Sequence, residues 1–225
     1  HSDLVASIVW LPDGKHFISG SEKNMYLMST TGEVKHSWSN IHVRDLAISE
    51  DGSTLVAMGG SIIHVISLED KTEVMRVEET DMITAICLSK DGNHLLVNTT
   101  VKPAQQPIHR EIHLWNLAEG RIVRKYSGQR QGLFVIRSCF GGYNERFIVS
   151  GSEDCKVYIW HRDNGNLIQV LEGHTQPVTC VAWSPTHPTL FVSGSDDHTI
   201  RIWGTPEDAE EDQRILQARL LNGAN

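Results

Sequence analysis

"SGSEDCKVYIW", residues 150–160, returns as "SGSDDHTIRIW" at residues 193–203, and the two align without a gap. Alone, the first copy reads as a reactive loop, with serines, paired acids and a cysteine ahead of a strand-like run. The second copy changes that reading. It keeps both serines, the acids and the closing Trp, yet has His198 where the first has Cys155. A word that tolerates so unlike an exchange is carried by architecture rather than by a reaction.

Working outward, a degraded version, "ISGSEKNMYLM", stands at residues 18–28 with one residue fewer. Strand-and-turn stretches of one type recur along the chain: "SIVWLPDGKHF", "LAISEDGSTLVAM", "ICLSKDGNHLLV" and "VAWSPTHPTLFV". The Asp-Gly pairs at 13–14, 51–52 and 91–92 are turn signals between two strands. The units close on Met28, Ile66, Trp115, Trp160 and Trp203, with spacings of 38, 49, 45 and 43 residues. Inside each unit the hydrophobic period is two and no helical period is present. Val157, Ile159, Ile200 and Ile202 alternate with Tyr158 and Arg201, a pattern of strands packed more tightly on one face. Four short strands in a unit of this length make a propeller blade. A helical solenoid would need a period of 3.6, and a sandwich would not repeat a word. The expected fold is therefore all-β, a propeller over residues 1–204 with five repeat units.

Two stretches depart from the repeat. The 49-residue unit is lengthened by "TTVKPAQQPIHREIHLW", residues 99–115, read as an exposed loop before the strand ending at Trp115. Its His109 and His113 are four apart, but the strand context and the lack of a third ligand argue against a metal site. Residues 205–225 read as an acidic tail or short helix, with Thr205 as N-cap, Pro206 at the first position and acids in the first turn. Ile215, Leu216 and Leu220 would form its apolar stripe, and Gly223 would end it.

The bulk properties narrow the partners. The net charge is −8, of which residues 205–225 supply five acids against two arginines. That balance argues against a protein that grips phosphate backbones, and no nucleic-acid partner is expected. No apolar run approaches the roughly 20 residues that cross a bilayer, so no membrane partner is expected either. Cys87, Cys139, Cys155 and Cys180 show no C-x-x-C spacing, and three lie in apolar strand-like runs. They read as buried thiols of a reducing compartment, the cytoplasm with the nucleus as a second location. No cofactor is expected.

The fifth unit, "GHTQPVTCVAWSPTHPTLFVSGSDDHTIRIWG" at 173–204, resembles the WD-repeat family in its Gly-His pair, its "SGS" word and its closing Trp. The resemblance implies that His174, Ser193, Asp197 and Trp203 form the family's structural tetrad. The fourth unit keeps Ser150, Asp154 and Trp160 but has Gln129 where the His would fall, and the first three units keep less. A narrower similarity, carried by "VIRSCFGG", "FIVSGSED" and "KVYIW" within residues 135–160, is to the WD-repeat subunit of GID/CTLH ubiquitin-ligase complexes. It implies a non-catalytic, seven-bladed scaffold that helps assemble the ligase and presents degradation targets. Members of that family carry LisH and CTLH helical segments, which this sequence lacks, so further sequence before His1 is expected. The alternative is a WD-repeat adaptor in a signalling or trafficking assembly.

Catalysis by Ser152, Glu153, Asp154 and Cys155 would need a base and an oxyanion pocket, and "GSED" lacks the nucleophile elbow. "GGS" at 59–61 and "FGG" at 140–142 stand in turn contexts rather than as phosphate cradles. Protein binding suits such a surface better, because loops on a rigid frame can vary their side chains. Arg44, Arg130, Gln131, Glu153, Gln176 and Asp196 neighbour structural positions without an architectural task of their own. They are the candidate contact residues, and Glu153 is the acid of the repeated word expected to be free.

Overall fold

Short β-branched and aromatic runs, broken every six or so residues by turn formers, fold locally into antiparallel hairpins. The computed structural model describes residues 1–100, 111–132 and 134–208. The first sheet is β1 (Val5–Trp10), β2 (His16–Ser21), β3 (Asn24–Ser29) and β4 (Val34–Ser39). The second is β5 (Asp45–Ile48), β6 (Thr54–Gly59), β7 (Ile62–Ser67) and β8 (Thr72–Glu78). The third comprises β9 (Met82–Leu88), β10 (His94–Thr100), β11 (Ile112–Asn116) and β12 (Arg121–Tyr126). β13 (Ser138–Gly141), β14 (Phe147–Ser150), β15 (Lys156–His161) and β16 (Leu167–Glu172) make the fourth. The last has three strands, β17 (Val178–Trp183), β18 (Phe191–Ser195) and β19 (Ile200–Trp203). In every sheet the strands pair in chain order, and the first strands of successive sheets pack against one another.

Alternation along the middle strands decides how the sheets stack. Leu55 and Ala57 of β6 pack toward the first sheet, while Val56 and Met58 pack toward the third. β10 repeats this, with Leu95 and Val97 on one side and Leu96 on the other. Both faces of an inner sheet are thus core, and each fully buried Leu or Val there contributes roughly 1.5–3 kcal/mol. This corrects the one-sided reading of β15, where Tyr158 and Trp160 are buried alongside Val157. It also explains β19, whose Ile200 and Ile202 are 76% and 73% exposed because no sheet among the described residues covers that side.

Asp45 ties the inner strands together. Its carboxylate accepts from Ser7 Oγ of β1 (3.3 Å) and pairs with Arg137 Nη1 just before β13 (2.9 Å). Among the described residues no helix is long and apolar enough to cross a membrane. Residues 206–208 are helical, and Thr205 and Asp208 cap each other: the Thr205 N–H and hydroxyl reach Asp208 Oδ2 (2.6 and 2.9 Å). Ile215, Leu216, Leu220 and Gly223 lie outside the described residues, as does His109.

Candidate functional site

Two sets of loops meet at one end of the sheets. Loops 40–44, 79–81, 127–137 and 173–177 lead from one sheet into the next; turns 22–23, 60–61, 151–155 and 196–199 join second to third strands. Backbone bonds lock the sets together: Val43 N–H to Ser21 O (2.9 Å), Ile83 N–H to Gly60 O (3.0 Å) and Val178 N–H to Ser152 O (3.0 Å). The glycine of the repeated word allows this approach. A Cβ on Gly151 would sit 2.2 Å from the Val178 carbonyl oxygen, and one on Gly59 would meet the His42 carbonyl.

The structure brings His174, Ser193, Asp197 and Trp203 together. His174 Nδ1 faces Asp197 Oδ2 (2.9 Å), and its Nε2 faces Ser193 Oγ (2.8 Å), which also accepts from Trp203 Nε1 (2.8 Å). Asp197 Oδ1 further accepts from the hydroxyl and N–H of Thr199 (2.6 and 2.9 Å), and Oδ2 from the N–H of Thr175 (3.0 Å). The Thr199 hydroxyl above all, then the Thr175 N–H and His174, hold this carboxyl well below the ordinary carboxylate range against the opposing effect of burial. The ring and the serine are buried, so the chain of bonds fixes one geometry.

Ser150, Asp154 and Trp160 of the fourth sheet do not join in this way. Ser150 Oγ donates to the Gly151 carbonyl (3.0 Å), and Trp160 Nε1 donates to the Ser127 carbonyl (3.1 Å). Asp154 Oδ2 accepts from the Tyr158 hydroxyl (2.7 Å), and its Oδ1 has no hydrogen-bond partner among the described residues. With Gln129 buried in place of a His, no imidazole bridges the acid and the hydroxyl.

Two networks escaped the sequence reading. In the third sheet Glu79 Oε1 accepts from Trp115 Nε1 (2.6 Å) and faces His113 Nδ1 (2.9 Å), and His113 Nε2 faces Glu111 Oε2 (3.3 Å). A carboxylate here does what the imidazole does in the last sheet. In the first sheet His1 Nε2 meets Ser19 Oγ (2.8 Å), matching His174 and Ser193. The separation of 18 residues, against 19 in the last unit, was the available signal. No group of three or more His, Cys, Asp and Glu among the described residues is placed to hold a metal ion.

The word at 150–155 is built as a loop clamp. Ser152 is buried; its Oγ accepts from the Arg130 N–H (2.9 Å) and donates to the Arg130 carbonyl (3.3 Å). Cys155 and His198, the two that exchange, both take left-handed backbone (φ 69° and 66°). Their shared position demands a turn conformation. Burial pushes the Cys87 thiol up to about 11 and raises that of Cys139 as well, which makes both poor nucleophiles. Cys180, read as buried, is exposed on the uncovered side of the last sheet.

Of the six candidate contact residues, Arg44, Arg130, Gln176 and Asp196 present exposed side chains at this end. Arg44 lies near His42 (3.2 Å) and Glu22 (3.8 Å). Gln131 and Glu153 need correcting. Gln131 is fully buried, its Nε2 donating to Thr84 Oγ1 (2.6 Å), so it ties its loop to β9 instead of facing a partner. The Glu153 carboxylate is not free either, because Oε1 accepts from the N–H groups of Gly132 and Phe134 (2.5 and 3.1 Å). The same loop exposes Phe134 and Val135, which sequence reasoning did not single out.

Antiparallel sheets stacked in chain order, an interlocked loop end and a His–Ser–Asp–Trp network define a WD-repeat propeller, and the chain belongs to the WD-repeat family. The "WD domain, G-beta repeat" family matches at residues 1–27, 120–161 and 165–204. The chain is similar to the "WD repeat-containing protein 26 homolog" of Arabidopsis thaliana, 40% identical over 222 residues that cover 95% of this chain and 36% of that protein. It is also similar to "GID complex subunit 7" of Schizosaccharomyces pombe, 37% identical over 217 residues, or 92% of this chain and 41% of the relative. The Drosophila melanogaster "WD repeat-containing protein 26 homolog" is 34% identical over 207 residues, covering 90% and 31%. The chain thus spans roughly two fifths or less of the length of these relatives.

Proposed function

We propose that this chain is the interaction module of a GID/CTLH-type ubiquitin-ligase subunit, a non-catalytic scaffold that recruits degradation targets or helps assemble the ligase. The observation that carries the reading is the loop end itself. Its backbone is cross-bonded between neighbouring sheets, while Arg44, Arg130, Gln176 and Asp196 project from it. A preorganised frame with variable polar side chains lowers the ordering cost of binding a protein surface. The name of the fission-yeast relative, a GID complex subunit, supports the particular assembly. A cytoplasmic and nuclear setting accords with four free cysteines.

The test is affinity capture of the tagged chain from cells, followed by identification of co-purifying proteins. Ubiquitin-ligase subunits or ubiquitylated targets are the expected catch. Arg44→Glu combined with Arg130→Glu and Asp196→Lys should reduce it about tenfold with an unchanged melting temperature. Capture of signalling or trafficking proteins instead, with no ligase subunit, would overturn the assignment.

A further inference from the structure

The end of the sheets opposite those loops holds a feature that neither the fold nor the proposed scaffold role uses. There the turns joining first and second strands, residues 89–93, 142–146 and 184–190, border an open pocket of about 520 Å³ between the third, fourth and fifth sheets. Its lining includes Phe140, Tyr143, Trp183, Pro185 and Pro188, with Lys90 and Glu145 as its charged members. That volume falls in the range of pockets that bury a ligand group, lined by apolar and aromatic side chains with a few polar ones.

The aromatic walls are held in place. Trp183 lies over Gly141, where any Cβ would run into the indole ring. It stacks with Phe147 (6.0 Å between centroids) and Phe191 (5.0 Å), and Nε1 donates to the Pro188 carbonyl (3.2 Å). Tyr143 is the opposite case, a large ring left 70% exposed. The turn that carries it departs from ordinary backbone at three residues. Gly142 has φ 77° and ψ −178°, open only to glycine, and Asn144 and Glu145 are left-handed at φ 54°. Such a turn persists only when its surroundings over-determine it. Glu145 supplies the ties, accepting from the Lys90 N–H (3.1 Å) and facing the Arg162 guanidinium (3.6 Å), which itself lies over the Phe140 ring (5.1 Å). Backbone strain of this kind is retained where it places a group for use.

Charge selects the occupant. Glu145 is committed to Arg162 and to the Lys90 main chain. The Lys90 side chain is exposed and makes no ion pair among the described residues. With the Glu145 carboxylate of the lining turned to Arg162, Lys90 is the cation on the cavity wall left outside an ion pair among the described residues, and it favours an anionic visitor. We propose that this cavity docks an extended segment of a partner protein, which packs an aromatic side chain against Tyr143 and Trp183 and sets an adjacent Asp or Glu carboxylate against Lys90. The site lies on the opposite end from Arg44 and Arg130 and does not depend on the ligase reading.

The probes are short fluorescein-labelled peptides with a Trp-Glu-Glu core, and matched Trp-Lys-Lys and Ala-Glu-Glu controls, titrated with the intact chain by fluorescence anisotropy. The Trp-Glu-Glu peptide should bind saturably, and each control at least about tenfold more weakly. Tyr143→Ala should cost at least about tenfold in affinity, and Lys90→Glu should reverse the order of the acidic and basic peptides. Both side chains are exposed, so near-UV circular dichroism should be unchanged by either substitution apart from the lost Tyr signal. Arg130→Glu, at the other end, should leave binding as it was. The proposal is overturned by absence of saturable binding, by equal binding of the Ala-Glu-Glu peptide, or by indifference to Tyr143→Ala. Loss of binding in Arg130→Glu alone would also overturn it, since the peptide would then be held at the other end.

Discussion

Asp197 concentrates the last sheet's polar geometry in one carboxylate. Its carboxyl is depressed in the folded chain, with the Thr199 hydroxyl as the leading cause. In the unfolded chain it titrates near about 3.9. Its stabilisation is therefore complete above that value and is lost as the pH falls toward the lower folded value. Urea midpoints measured from pH 7 to pH 2 should fall on the acid side, and Asp197→Asn should start lower at pH 7 and lack part of that fall. Identical acid limbs would show that the carboxylate does not hold the turn. At this scale sequence and structure agree where a residue's task is local. The exchange of Cys155 for His198 pointed to architecture rather than a reaction, and both residues are left-handed there. Glu153 was misread because its task is not local: only the folded chain brings Gly132 and Phe134 onto its carboxylate. Glu79 was passed over because a carboxylate stands where the motif has an imidazole.

Elements repeat because the crossing of one sheet's turn by the next sheet's entering loop repeats. Gly151 marks such a crossing. Its Cβ would overlap the Val178 carbonyl, a backbone atom that cannot swing away as a side chain could. Gly151→Ala should therefore cost roughly 1–3 kcal/mol, the usual penalty for overfilling a packed site. Gly32→Ala is the control, since nothing lies within 4 Å of its Cβ and only its left-handed backbone (φ 85°) resists the change. A Gly151→Ala loss no larger than the control's, read from urea melts, would mean that the loops adjust instead of clashing. The repeated word, the Asp-Gly turns and the period of two were enough to read an all-β propeller. They could not say which strands have two buried faces, because that depends on a neighbouring sheet. Val157 and Tyr158 share the fourth sheet's middle strand and are both buried, while Ile200 and Arg201 occupy the same register in the last sheet and are both exposed.

The whole molecule behaves as a row of sheets in which each gains stability from its neighbours, as in other repeat proteins. The second, third and fourth sheets are covered on both sides, whereas Ile8 of β1 and Ile200 and Ile202 of β19 face solvent. Local opening free energies should follow that coverage. In native-state hydrogen exchange, amides of β18 and β19 should exchange through local opening, ahead of β6, β10 and β14, whose residues line the buried clusters. The same gradient sets the cost of substitution. Leu96→Ala in β10 should destabilise by roughly 2–5 kcal/mol, because the buried site cannot fully collapse. Ile202→Thr should change stability by about 0.5 kcal/mol or less, as an exposed aliphatic contributes little burial. If Ile202→Thr proves as costly as Leu96→Ala, the last sheet must be covered in solution, and its slow amide exchange would show the same thing independently.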